Sequence, residues 1–375
     1  MSSLKTASSL RMGFSTGAYM TATAVAAYQM CQGGLVEEGV DLVFPDGTNR
    51  TVNIDGSELH SQKSVTVWSF KDAGEDVDVT NRVRIISRVT ISEGKIPVEA
   101  KDFDETIESL HVVLRGGSGV GLVTRIGLDV PVGKAAINPS PRKMLLENLL
   151  LCASQENKNI LVEVSIDEGE KIARRTLNTT LGIKGGLSIL GTTGLVIPCS
   201  HEAYVATIEI LLRGASKVGE KTAILVTGGR THRWAKTAIP SVPEQAIVRF
   251  GDFIYEALDY CGKYHFEQVH VVCMVGKLAK YALGIPNTHA RKKAQSTRVI
   301  ADLLVQEGMP TTCYEIAVEN VSIRGFLECM SVDARSTAIK ILFNRAEVAL
   351  QEWAGDSHVV LHVLDVAGER EIVCG

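Results

Sequence analysis

The sequence lacks the long apolar run that a membrane-spanning helix requires. Such a helix needs about 18 or more apolar residues in succession, and the best candidate here, near Met144 to Cys152, is interrupted by Glu147 and Asn148. The first residues, MSSLKTASSLRMG, contain no continuous apolar core of a secretory signal. These absences predict a cytoplasmic protein without a membrane partner.

Closely spaced cysteines and an excess of basic residues are also missing. The eight cysteines are never closer than 12 positions apart, which gives neither a CxxC redox motif nor paired zinc-ligand spacing. We therefore expect reduced cysteines and no metal site of the protein's own. The net charge of -4 argues against a nucleic-acid partner, although it leaves a local basic pocket open.

Glycine, by contrast, is abundant. The chain has 34 glycines among 375 residues, without a Gly-X-Y period, and 11 of them fall within residues 115–135 and 181–195. Glycine permits tight turns and close backbone approach. The two glycine-rich loops are therefore predicted to form a binding surface.

Apolar and turn patterns divide the chain into two predicted domains. Residues 1–200 are expected to form an α+β domain with a mixed β-sheet. Residues 201–375 are expected to form an α/β Rossmann-like domain, because β-runs alternate there with helical patterns and imply a parallel sheet. The β-runs of this second domain are 222–228, 246–250, 269–276 and 358–365.

Two segments approach known nucleotide-binding motifs without matching them. GASKVGEKT, residues 214–222, places Glu220 before the Lys-Thr pair of a P-loop and leads into a strand instead of following one. GGSGVG, residues 116–121, does not have the glycine spacing of the dinucleotide fingerprint. A nicotinamide-dependent reductase is therefore disfavoured.

Two segments of the first domain carry candidate residues in short polar motifs. Ser15 and Thr16, followed by Gly17, can cap a helix whose free N–H groups would bind a carboxylate or phosphate. A simple capped core helix is the alternative. Asp72 and Asp76 lie in an acidic loop after a strand, where they are either proton acceptors, polar ligand contacts or solvated side chains.

Further candidates lie in glycine-rich or polar loops. One loop ends at a helix start that carries an amide and two cations, which suits an acidic small molecule. A second loop resembles an anion-binding nest, with a domain hinge as the alternative. A polar loop of the second domain follows the third β-run, and its histidine is either a packing residue or functional. These candidates are Asn138, Arg142 and Lys143; Gly191, Thr192 and Thr193; and Asn287 with His289.

Five segments occur in a characteristic order along most of the chain: GFSTGAYMTATAVAA, DAGEDVDVT, GSGVGLVTRIGLDVPVGKAAINPSPRKM, LGIKGGLSILGTTGLVIP and GKLAKYALGIPNTHARK. Together they resemble the CbiD family of cobalt-precorrin-5B methyltransferases. The resemblance implies methyl transfer from S-adenosylmethionine to carbon 1 of cobalt-precorrin-5B, giving cobalt-precorrin-6A in anaerobic cobalamin biosynthesis. It also implies that cobalt arrives only as part of the tetrapyrrole substrate.

Under this resemblance, the first domain would hold the macrocycle and the second the donor. The macrocycle's carboxylates would contact the candidate residues of the first domain, and a base would come from Asp72, Asp76 or His289. The donor would lie beyond the carboxyl ends of the parallel strands. Its contacts would be Thr227, Gly228, Gly229, Gly276 and Asn287.

The sequence departs from the family pattern at three places. TGGRTHRW stands at 227–234 where a stretch like TPGNYG is expected, CMVGK at 273–277 where GHIGK is usual, and Lys134 where Glu is expected. Two of these changes fall at the proposed donor site. They keep two alternatives open, a non-catalytic corrinoid-binding relative and a methyltransferase that acts on another tetrapyrrole. The sequence also leaves a homo-oligomer open.

Overall fold

A computed structural model describes residues 10–35, 38–153, 158–198, 200–288, 296–320, 322–365 and 370–374. The chain has a mixed α/β fold and separates into two compact units, residues 1–200 and 201–375. Each unit has its own hydrophobic core. Among the helices that the structure describes, none has the length and apolarity that a membrane crossing requires.

The first unit is built around a six-stranded mixed sheet. Its order is β4-β5-β6-β10-β8-β7, in which β10 and β8 are parallel and the other pairs are antiparallel. The strands are β1 Gly13–Phe14, β2 Gly39–Val43, β3 Asn49–Asn53, β4 Gly56–Ser61, β5 Ser64–Phe70, β6 Arg84–Ser92, β7 Phe103–Ile107, β8 Leu110–Gly116, β9 Leu122–Val123, β10 Lys158–Ile166, β11 Ile183–Lys184 and β12 Leu195–Val196. The helices are α1 Thr16–Cys31, α2 Pro139–Cys152 and α3 Gly169–Ala173.

Helix α1 lies in the middle of this unit, packed against β5, β6 and α2. Every residue from Thr16 to Tyr28 is buried, so the helix has no polar face. Small Ala and Thr side chains make this possible, since they bury little volume and the Thr hydroxyls bond to the preceding helical turn. Thr23 also contacts the Ser87 hydroxyl at 2.7 Å. The helix is therefore a core element, and within the described residues its side chains from Thr16 to Tyr28 are closed to a ligand.

The second unit contains a five-stranded sheet in the order β14-β13-β15-β16-β17. The first four strands are parallel, and β17 is antiparallel to β16. The strands are β13 Thr222–Val226, β14 Ile247–Arg249, β15 Gln268–Met274, β16 His358–Leu364 and β17 Glu371–Cys374. The helices are α4 His201–Lys217, α5 Gly229–Ala238, α6 Ile254–Lys263, α7 Val275–Ala282, α8 Thr297–Gln306, α9 Thr312–Glu319, α10 Ile323–Glu328 and α11 Val332–Ala354, with a 3-10 turn at Glu244–Ala246.

The four β-runs predicted for the second unit are confirmed as parallel neighbours. Their near-continuous Val, Ile and Leu content is typical of strands buried on both faces. The antiparallel edge strand β17 was not predicted. It makes the sheet mixed, and its short run, EIVC, has no alternation that would distinguish it from a loop.

Candidate functional site

Several segments of the first unit contact one another at residues 13–17. Ser15 caps α1, accepting a hydrogen bond from Ala18 N at 3.2 Å. Strand β1 pairs antiparallel with β12. A Cβ at Gly13 would lie 2.1 Å from the backbone carbon of Ala73, so only glycine allows the acidic loop to approach this closely.

The second glycine-rich loop closes the start of α1. The Thr16 hydroxyl donates to Ser188 O at 3.2 Å and accepts from Leu190 N at 2.9 Å. Gly17 N donates to Leu190 O at 3.0 Å, and Ser15 N donates to Gly194 O at 2.9 Å. The expectation of free helix N–H groups that bind an anion is therefore corrected for Gly17 and Ala18, because the chain itself satisfies these two groups.

The first turns of helices α1 and α2 are in direct contact. A Cβ at Gly17 would lie 2.7 Å from Pro141 Cγ. Asn138, the residue before α2, donates its backbone N–H to Ile189 O at 2.9 Å. Its side-chain amide caps nothing and has no hydrogen-bond partner within the described ranges. Thus this amide, unlike the hydroxyls of Ser15 and Thr16, is available to a ligand.

The loop from Gly191 to Gly194 presents the remaining predicted hydroxyls. Thr192 and Thr193 are exposed, and the Thr193 hydroxyl accepts from Leu195 N at 3.3 Å. Gly191 has φ +128°, and a Cβ there would lie 2.2 Å from Ser15 Oγ. The glycines hold this loop against α1, while the two threonines point outward.

Asp72 is held by a cation that the sequence analysis did not identify. Arg11 donates two hydrogen bonds to its carboxylate, at 2.7 and 3.0 Å, and Gly74 N donates a third at 2.8 Å. The Arg11 guanidinium lowers the pKa of the Asp72 carboxyl. A carboxylate stabilised in this way is a poor proton acceptor. Asp76, in the same loop, is partly exposed.

The acidic loop is anchored by a second ion pair that was also not predicted. Lys71 is 1% exposed, and its ammonium group lies 2.6 Å from Asp78 Oδ2. Asp78 also accepts hydrogen bonds from the Thr80 N–H and hydroxyl, each at 2.7 Å. The sequence around Lys71 gives no local signal of burial, because the ion pair with Asp78 forms only when the loop folds back onto the strand.

The two predicted cations at the start of α2 differ in their surroundings. Arg142 forms an ion pair with Glu105, and its guanidinium stacks over the Phe103 ring at 4.1 Å. Lys143 is exposed, with only a 3.7 Å pair to Glu147 on the same helix. Arg142 is thus occupied by its own chain, whereas Lys143 can turn toward an acidic ligand at little cost.

In the second unit, the predicted donor residues lie at the carboxyl ends of β13 and β15. Gly228 N donates to the Thr231 hydroxyl at 2.9 Å. A Cβ at Gly228 would lie 3.4 Å from the Arg249 guanidinium. A Cβ at Gly276 would have no atom of the described chain within 4 Å. Backbone atoms are accessible at both strand ends, as close approach of a ligand requires.

A lysine cluster adjoins these strand ends. Lys277 donates to the Asp252 carboxylate, to the Thr288 hydroxyl and to Gly251 O, the last at 3.2 Å. Lys280 donates to Thr288 O at 2.6 Å. The cluster connects helix α7 to the loops that follow β14 and α7. Of the two remaining predicted residues, Asn287 forms a bridge with Phe253, and His289 lies outside the described residues.

Comparison with known proteins identifies the family. The CbiD family model matches residues 3–198, more than half of the chain. A cobalt-precorrin-5B C(1)-methyltransferase from Priestia megaterium is 36% identical over 80% of this chain and 78% of that protein. The chain belongs to the CbiD family. A relative of the same name from Geobacillus kaustophilus is 33% identical over 98% of this chain and 95% of its own length.

One solved structure also matches this CbiD-family chain. It is the crystal structure of a cobalamin biosynthesis protein (CbiD) from Archaeoglobus fulgidus. The match covers 72% of this chain and 79% of that one, at 25% identity and with a TM-score of 0.38. The family resemblance noted in the sequence is confirmed by the family model and the relatives.

The CbiD segments of the chain fall into two groups. Segments that begin at Gly13, Asp72, Gly117 and Leu181 belong to the first unit. The first contains residues 13–17, and each of the others contacts these residues or the loop that closes them. The fifth segment, from Gly276, lies in the second unit. The structure thus brings together most of the predicted substrate residues, and places the predicted donor residues at one edge of a different sheet.

Proposed function

We propose that this CbiD-family protein transfers a methyl group from S-adenosylmethionine to carbon 1 of cobalt-precorrin-5B, giving cobalt-precorrin-6A in anaerobic cobalamin biosynthesis. Relatives named for this activity, 33% to 36% identical over 80% to 98% of the chain, support the proposal. The observation that carries it is the convergence of four family segments on the start of α1. Cytoplasmic location, homo-oligomerisation and the absence of a nucleic-acid partner stay predictions.

The first unit would hold the macrocycle through the groups that its own chain leaves accessible. These are the Asn138 amide, the exposed hydroxyls of Thr192 and Thr193, and the Lys143 ammonium group. All of them suit the acetate and propionate side chains of a tetrapyrrole, since amides, hydroxyls and ammonium groups donate hydrogen bonds to carboxylates. Ser15, Thr16, Gly17, Gly191 and Arg142 would shape the surface without contacting carboxylates through their polar groups.

The second unit would hold the donor as a Rossmann-like domain. Strand β13 is flanked by β14 on one side and β15 on the other, so the order in which successive strands are added to the sheet reverses between β13 and β15. In open parallel sheets, ligands bind in the crevice at such a point. Thr227, Gly228 and Gly229 follow β13, and Gly276 follows β15. Gly276 is exposed and a Cβ there would meet no described atom within 4 Å, so a ligand can approach its backbone closely.

S-adenosylmethionine supplies an electrophilic methyl carbon when bound. The protein's task is to align that carbon with the nucleophilic ring carbon and to keep water away, so no covalent protein nucleophile is needed. If a proton must leave the macrocycle, Asp76 and His289 stay candidates for its acceptor. Asp72 is less suitable because Arg11 stabilises its charged form.

The test is mass spectrometry of cobalt-precorrin-5B incubated with the protein and methyl-labelled donor. One label should appear on the macrocycle. Binding of the tetrapyrrole without label transfer would overturn catalysis. It would favour the alternative of a non-catalytic corrinoid-binding relative, which the altered segment at 227–234 left open.

We expect Asp76→Asn to lower kcat by about 100-fold, because a positioned base contributes factors of roughly 10² to 10⁴. Glu93→Gln is the control, since this exposed carboxylate pairs only with Lys63 among the described residues. An unchanged kcat in Asp76→Asn would remove this residue from the mechanism.

A further inference from the structure

The second unit contains a cavity that the proposed donor contacts do not use. Its volume is about 420 Å³, within the range of small-molecule sites. Val275 directly follows β15 and Asp365 directly follows β16, and both line the cavity. The cavity therefore opens at the carboxyl ends of two neighbouring parallel strands, where ligands of such sheets bind.

The lining of this cavity combines apolar side chains with guanidinium groups. Arg324 pairs with Glu328 on α10 at 2.8 Å. Arg335, in the first turn of α11, and Arg370, just before β17, also line the cavity. Over the described ranges neither guanidinium has a hydrogen-bond or ion-pair partner. The apolar part of the lining is formed by Val275, Leu327, Val332, Ile339 and Ile372.

Two unpartnered guanidinium groups beside apolar side chains specify an anionic ligand with an apolar body. Guanidinium presents parallel N–H donors that match a carboxylate in bidentate fashion. The cavity is lined by three arginines and by two carboxylates, Glu328 and Asp365, so its lining carries one excess positive charge. An acidic small molecule would balance that excess.

We propose that this cavity binds a carboxylate of one of the two reactants, through Arg335 and Arg370. The proposal rests on the proposed function, under which both reactants carry carboxylates: the donor on its methionine part and the macrocycle on its periphery. Val275 precedes Gly276 in the chain, so the cavity adjoins the strand end assigned to the donor. A carboxylate held here would anchor its molecule at the carboxyl ends of β15 and β16.

The experiment uses the full-length protein and two probes. Calorimetry measures the Kd of S-adenosylhomocysteine, which retains the donor's carboxylate, and steady-state assays measure KM for cobalt-precorrin-5B. In Arg335→Met, one of these constants should rise about tenfold or more, as expected for loss of a charge-assisted contact. Arg335→Lys should recover part of the loss, since it keeps the charge without the guanidinium fork.

Arg370→Met provides an independent variant from the opposite side of the cavity and should raise the same constant. Arg345→Met is the matched control on α11, since Arg345 pairs with Glu307 at 3.0 Å and does not line the cavity. A rise in Kd alone assigns the cavity to the donor's carboxylate, and a rise in KM alone assigns it to the macrocycle's.

Both constants unchanged in Arg335→Met and in Arg370→Met would overturn the proposal. This result is distinct from failure of the proposed function. In that case the wild-type protein would transfer no label at all, while calorimetry with S-adenosylhomocysteine and with cobalt-precorrin-5B would still report on the cavity.

Discussion

At the residue scale, the ion pair of the buried Lys71 with the largely buried Asp78 anchors the acidic loop. Removing one partner of a buried ion pair leaves an uncompensated charge and costs about 3 to 5 kcal/mol. We expect Lys71→Met to lower the free energy of unfolding by about 3 kcal/mol, since Asp78 retains some exposure. Urea denaturation measures this change.

Two variants check the physical reason for that loss. Lys71→Met combined with Asp78→Asn should be more stable than Lys71→Met alone, because the amide oxygen keeps the Thr80 contacts without a charge. Lys63→Met, which breaks an exposed pair with Glu93, should change stability by less than about 1 kcal/mol. Equal losses in Lys71→Met and Lys63→Met would contradict the role of burial.

The Lys71–Asp78 pair also makes the stability of the protein depend on pH. Burial raises the pKa of the Asp78 carboxyl, but the charge and hydrogen bond of Lys71, together with Thr80, lower it below its usual value. Its contribution to stability is therefore fully present above the unfolded-state pKa and is lost as pH falls through the folded-state pKa. In Lys71→Met this loss on the acid side should be smaller.

Sequence reasoning singled out acidic residues in this loop but not the cations that pair with them. Asp72 stands out as a carboxylate after a strand, yet its partner Arg11 is 61 positions away. Charge pairs between distant segments leave no periodic signal in the sequence. That Asp72 is poorly suited as a base is therefore apparent only in the folded loop.

At the scale of elements, the closure of α1 by the second glycine-rich loop is the central feature. Gly191 combines φ +128° with close approach to Ser15, so a Cβ there is both strained and in collision. We expect Gly191→Ala to lower the free energy of unfolding by about 3 kcal/mol, from backbone strain of about 1 to 3 kcal/mol together with displaced packing. Thermal denaturation measures the loss.

Gly185→Ala is the control for Gly191→Ala. Gly185 also has a positive φ, of +78°, but a Cβ there would meet no described atom within 4 Å. It should therefore show the cost of backbone strain alone, about 1 to 2 kcal/mol. If both variants lost the same stability, contact between the loop and Ser15 would not contribute.

The elements themselves could be predicted closely. The β-run at 222–228 corresponds to a strand at Thr222–Val226, and the one at 269–276 to Gln268–Met274. Apolar runs and turn residues are local signals, so they locate a strand well. The predicted ends differ from the observed ends by one or two residues. The order of strands in the first sheet was not predicted, because it depends on pairings such as β10 with β8 and β6 that join distant segments.

At the scale of the whole molecule, the chain contains two separate cores. One is formed by residues of the first unit and the other by residues of the second. Because a unit with its own core can fold alone, we expect residues 201–375, expressed alone, to unfold cooperatively on heating. Near-ultraviolet circular dichroism, which reports fixed aromatic packing, measures this transition.

The reciprocal fragment, residues 1–200, is the comparison for that experiment and should also unfold cooperatively. If residues 201–375 lacked a cooperative transition while the intact chain showed one, the second core would depend on the first. Donor binding by the second unit would then have to be measured in the intact chain.

The sequence by itself determined the secondary structure of most segments and the family of this protein, because both are encoded in local patterns and in the order of short motifs. Only the tertiary structure decided which polar groups are available. It showed that the Thr16 hydroxyl and the Gly17 N–H form hydrogen bonds with the Leu190 backbone. It also showed that Asp72 is paired with Arg11 and that Arg335 lines a cavity with Arg370. Availability depends on contacts between distant segments, and those contacts exist only in the folded chain.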